Sequence, residues 1–98
     1  MNEYRWPDDQ GLADRARQAW AATTGALPPG TPVTGKVIGP QPFGVFVRID
    51  GTPDAVGLAE VTTMPRDTSM PAVRAAVAGE VIGHAIQNHQ IRLRLSER

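Results

Sequence analysis

The sequence contains no cysteine, which excludes a disulfide framework and any thiolate chemistry. It carries no net charge, because ten basic residues balance ten acidic ones. That excludes nucleic-acid binding by bulk electrostatics and leaves room only for a local basic face. No apolar run approaches the ~20 residues that cross a bilayer, and the polar start MNEYRWPDDQ has no signal-peptide pattern. The expected location is therefore cytoplasmic. Lysine is nearly absent, with nine arginines to one lysine. Arginine stacks on flat groups and bonds phosphate bidentately, which lysine does not. Aromatics are scarce as well, with two Trp, one Tyr and two Phe, so the placement of each carries weight.

What is present is one small domain of 98 residues, 41% of them apolar. A chain of this size buries roughly two thirds of its unfolded surface and has little stability to spare. Residues 1–8 read as loose, and Asp8 or Asp9 suits a helix N-terminus. The stretch DQGLADRARQAWAATTG predicts a helix over about residues 10–24, with Leu12, Ala16, Trp20 and Thr23 on one stripe and Gly25 as its stop. Trp20 on such a stripe is expected to anchor the helix on the rest of the domain. ALPPGTP then reads as a linker. The division is thus an N-terminal extension, residues 1–28, and a β-rich domain, residues 29–98.

Five strands are expected in the second part. PVTGKVIG is the first, FGVFVRID the second, VGLAEV the third, EVIGHAI the fourth and QIRLRLS the fifth. In the second strand Val45, Val47 and Ile49 fall on one face, while Phe46 shares the other with Arg48 and Asp50. In the fifth, Ile91, Leu93 and Leu95 alternate with Arg92 and Arg94. PAVRAAVAG, with Pro71 first and Gly79 last, predicts a short helix between the third and fourth strands. QNH reads as a tight hairpin with Asn88 in a left-handed position. Five short strands suit a small closed barrel, which removes the open edges of so short a sheet.

In this order, PGTPVTGKVIG, FGVFVRIDG, VGL, AGEVIGHAI and NHQIRLRLS resemble an S1-type RNA-binding domain over about residues 29–96. The resemblance implies a mainly β protein: a five-stranded OB-fold barrel with an added N-terminal α-helix and a short helix or turn between strands 3 and 4. It also implies that Phe43 and Phe46 lie on an open barrel face where bases stack. Their odd separation puts them on opposite sides of a straight strand, so Gly44 is expected to permit a bulge or bend. Lys36, Arg48, Arg92 and Arg94 complete the candidate RNA-binding set. A competing reading places Leu12 or Trp20 of the N-terminal helix over Phe46.

The sequence departs from the family at three places. Glu60 stands where a histidine is common, Gln87 is nearest to the usual aspartate, and Gln90 occupies the place of an arginine. No catalytic motif is present, so no enzymatic activity and no cofactor are expected. His84 and His89 flank the last hairpin but lack the further ligands that a zinc site needs. Single-stranded RNA is the first partner expected, bound weakly and with little sequence preference. The alternative is a protein-interaction or regulatory module without nucleic-acid binding, its partner engaged through the N-terminal helix.

Overall fold

A computed structural model of the chain describes residues 10–41, 44–60 and 71–96. Two helices precede five strands: α1 (Gln10–Gln18), α2 (Trp20–Ala26), β1 (Pro32–Gln41), β2 (Gly44–Ile49), β3 (Val56–Glu60), β4 (Ala76–Ala85) and β5 (Gln90–Leu95). The strands close into a barrel in the order β1-β2-β3-β5-β4. Every pairing is antiparallel except β3 with β5. Among the described residues no helix is long and apolar enough to cross a membrane.

Alternation fills the barrel. Val45, Val47 and Ile49 of β2 point inward and meet Val37, Val81, Ile91 and Leu93 in one buried cluster. Each of the two long strands carries one bulge. Val37 pairs with Val47 but Gly39 with Phe46, leaving Ile38 as an extra residue. Val81 pairs with Leu93 but Gly83 with Arg92, leaving Ile82 extra. Such insertions bend and twist a strand, which a five-stranded barrel needs in order to close. The bend expected at Gly44 concerns the placement of Phe43, which lies outside the described residues. At Gly44 itself a Cβ would run into the Ala59 carbonyl oxygen of β3.

The single helix expected over residues 10–24 is two segments broken at Ala19, whose φ and ψ are −90° and 3°. Gly25 lies inside α2 rather than stopping it. The stop comes at Leu27, with φ −128° and ψ 63°, because a residue before proline is driven out of the α region and Pro28 follows. Leu27 then enters the barrel cluster.

The short helix expected over 71–79 does not form. Ala75 N–H bonds the Ala72 carbonyl to make a turn, with Arg74 at φ 76°. Residues from Ala76 onward pair with β1, Lys36 opposite Ala76 and Gly35 opposite Val77. Alanine-rich local preference yields here to the ladder that the neighbouring strand offers. The last turn spans residues 86–89, and His89, not Asn88, takes the left-handed conformation at φ 58°.

Candidate nucleic-acid interface

The register builds the outward face row by row. Lys36 lies opposite Arg48 and Arg48 opposite Val56. In the next row Phe46 lies opposite Leu58, and Leu58 opposite Arg92. Glu60 and Arg94 extend the face beyond them. Strand alternation thus places an apolar pair, Phe46 and Leu58, between basic residues on β1–β2 and on β5.

That apolar pair is covered. Phe46 has no solvent exposure. With Val56, Leu58 and the partly buried Ile38 it forms a second cluster, separate from the barrel interior, whose remaining member is Leu12 of α1. The expectation of a solvent-open Phe46 is corrected accordingly. The physical reason is the helical stripe: Leu12 and Ala16 are both buried, and a short amphipathic helix is stable only when such a stripe is packed. Phe43 lies outside the described residues.

Trp20 follows the break at Ala19 and lies beside the last turn. Its ring meets those of His84 and His89 edge to face, with centroids 5.9 Å and 5.6 Å away. His84 Nε2 is also 2.8 Å from the Leu27 carbonyl oxygen. Trp20 thus anchors the helices on the domain, packing partly buried against the interior cluster. Among the described residues no group of three or more His, Cys, Asp or Glu side chains is placed to hold a metal ion.

The basic residues are largely engaged with carboxylates. Arg48 lies 3.8 Å from Asp54, which also meets Arg15 of α1 at 3.3 Å. Arg92 meets Glu60 at 3.3 Å and Arg94 meets Glu80 at 3.7 Å. Lys36 is exposed. The arginines of these pairs are about half exposed, so each pair is worth only ~0–1 kcal/mol. A phosphate can therefore replace a carboxylate at little cost.

Several contributors escape a reading of the sequence alone. Asp54 bridges α1 to β2 from a loop residue at φ 59°, and no periodicity marks it. Arg15 is reached only through the docked helix. Gln90 is the least expected. It begins β5, is fully buried, and neither its amide nitrogen nor its amide oxygen has a hydrogen-bond partner. Leaving such a group unpaired costs on the order of 1–3 kcal/mol. The Thr23 hydroxyl of α2 is buried in the same state.

No family model and no curated protein matches the sequence. Solved structures do match. RNase R from Mycoplasma genitalium superposes with a TM-score of 0.68 at 16% identity, over 83% of this chain and 15% of that one, both in its apo form and in complex with ribose-methylated single-stranded RNA. The solution structure of GSP13 from Bacillus subtilis matches with a TM-score of 0.57 at 25% identity, over 67% of this chain and 53% of that one. The chain thus spans a small part of RNase R and about half of GSP13. Together with the closed five-stranded barrel and its strand order, these likenesses identify the fold as the S1-type OB barrel, here with a helical N-terminal segment laid over one face.

Proposed function

We propose that the chain is a small RNA-binding module that takes single-stranded RNA, weakly and with little sequence preference, on the outward face of β1, β2, β3 and β5. The observation that carries this reading is the apolar pair Phe46 and Leu58 set between Lys36 and Arg48 on one side and Arg92 on the other. A base stacks on an aromatic face for ~1–3 kcal/mol whatever its identity. Arginine and lysine beside it meet phosphates, which carry no sequence information. Phe43 and Arg94 belong to the same proposed set. RNase R, a small part of which shares this fold, forms a complex with ribose-methylated single-stranded RNA, which supports the choice of ligand. The affinity is weak in this reading because bound RNA must displace both the carboxylates and the cover that Leu12 provides. The module performs no reaction of its own and acts in the cytoplasm.

The test is an amide chemical-shift titration of labelled protein with a short mixed single-stranded RNA at low and moderate salt. Shifts clustered on Phe46–Arg48 and Arg92–Arg94 that fade as salt rises are expected. An unchanged spectrum at low salt overturns the reading.

The carboxylate-paired arginines and the covered Phe46 also favour a second reading, a protein-interaction module engaged through the helices. Partners captured in a nuclease-resistant manner and lost on Trp20→Ala would select it.

A further inference from the structure

The buried amide of Gln90 is the feature that neither the fold nor the proposed stacking face explains. Ile91 and Leu93 of β5 point into the barrel and Arg92 and Arg94 are exposed, so alternation places the Gln90 side chain outward, on the face of Arg92. The parallel register of Gly57 with Ile91 sets Gln90 beside Val56. It therefore ends the row that runs Lys36, Arg48, Val56. Yet it has no solvent exposure. On one side of it, Val56 is sealed in the cluster that holds Leu12 of α1. On the other, its chain neighbour His89 is met by Trp20 of α2. Both residues that flank Gln90 are thus tied to the helical segment, Val56 in the cluster of Leu12 and His89 against Trp20.

Buried between these two points, the amide keeps a free donor and a free acceptor. Had the helices been its permanent roof, an apolar side chain would serve better there, because an unpaired buried amide opposes burial. A nucleobase edge supplies what the helices do not. Single-stranded bases are read on their Watson–Crick and Hoogsteen edges. Adenine alone presents an adjacent donor and acceptor on both, and pairs bidentately with glutamine.

We infer that Gln90 is a base-reading residue of the RNA face, concealed by α1, and that an adenine-containing strand takes the place of α1 over it. The inference rests on the RNA reading above and adds one position of base preference to an otherwise tolerant surface. Helix α1 suits displacement. It has nine residues, fewer than an isolated helix needs to be stable in water, and its ion pair through Arg15 is solvent-exposed.

The experiment measures the affinity of fluorescein-labelled oligo(A) and oligo(U) for the full chain by anisotropy at low salt. Wild type, Gln90→Leu, Leu12→Asp and the double variant are compared. Wild type is expected to favour oligo(A), and Leu12→Asp to bind both strands more tightly. Gln90→Leu should lower oligo(A) affinity about fivefold or more, the lower end of what an amide–adenine pair provides, and erase the preference for oligo(A). An unaltered oligo(A)-to-oligo(U) ratio in a Gln90→Leu protein that still binds RNA overturns the inference and leaves the RNA reading intact. Absence of binding to either strand, even by Leu12→Asp, overturns both. The side-chain amide resonances of Gln90 in the wild-type protein give an independent readout should Gln90→Leu fail to fold. They should move on adding oligo(A), and their constancy at saturation overturns the inference.

Discussion

Phe46 stands directly opposite Leu58 across β2 and β3, and Leu12 of α1 completes the cluster that buries them both. The residue that the S1 resemblance assigns to base stacking therefore also supports the fold. Substitution by alanine confounds the two roles, since removing a buried phenylalanine costs ~3–5 kcal/mol in a closed core. Phe46→Leu separates them. It keeps most of the apolar fill, so stability should fall by less than about 1.5 kcal/mol, while the ~1–3 kcal/mol of a base stack is lost. Urea unfolding together with RNA titration checks both numbers. A Phe46→Leu protein with undiminished RNA affinity removes the stacking role.

Leu12→Asp is expected to free α1 while leaving the barrel closed. A carboxylate cannot stay in an apolar cluster without a partner, and a nine-residue helix has little stability once its packed stripe is broken. Hydrogen exchange should show lost protection over residues 10–18 and unchanged protection in β2, β3 and β5. Loss of protection throughout the barrel would mean that the helix is part of the fold's core and no separable cover.

Glu60→Gln tests whether the acidic partners restrain RNA binding. The pair with Arg92 is partly exposed, so its loss should alter stability by no more than ~1 kcal/mol. Freed of that carboxylate, Arg92 becomes available to phosphate. RNA affinity should rise, and each newly engaged phosphate should steepen the salt dependence by ~0.7 in log–log slope. A fall in affinity would show that Glu60 helps position the ligand.

The pattern of these contacts explains what the sequence disclosed and what it did not. The inward residues of β2 and β5 were legible because alternation with a strict period of two leaves no other buried face for Val45, Val47, Ile91 and Leu93. The extension of β4 back to Ala76 was not, because AVRAAVA favours a helix locally and only the neighbouring β1 makes it a strand. In the same way, F-G-x-F-V identified where the candidate face would be, and the stripe Leu12–Ala16–Trp20 showed that something would be packed. No spacing rule says that the first residue of that stripe lands on Phe46, or that Asp54 answers both Arg15 and Arg48. Those are contacts between segments distant in sequence, decided when the helices dock.

A pair of glycine substitutions distinguishes barrel from appendage. Gly35 lies where β1 passes β2, and a Cβ there would meet the Arg48 carbonyl oxygen and a Val47 methyl carbon. Backbone cannot yield as a flexible side chain does, so Gly35→Ala should destabilise the barrel by about 1–3 kcal/mol or more. Gly25 lies inside α2 with nothing within 4 Å of an added Cβ. Gly25→Ala should therefore favour the helix by ~0.5–1 kcal/mol. Thermal unfolding of the two variants should shift in opposite directions. Hydrogen exchange then locates the gain: protection should rise within α2 on Gly25→Ala. A gain confined to α2, with the melting of the barrel unmoved, would show that helices and barrel unfold as separate units. A rise in the barrel's own melting temperature would show that α2, through Trp20 and Leu27, is coupled to the interior it packs against.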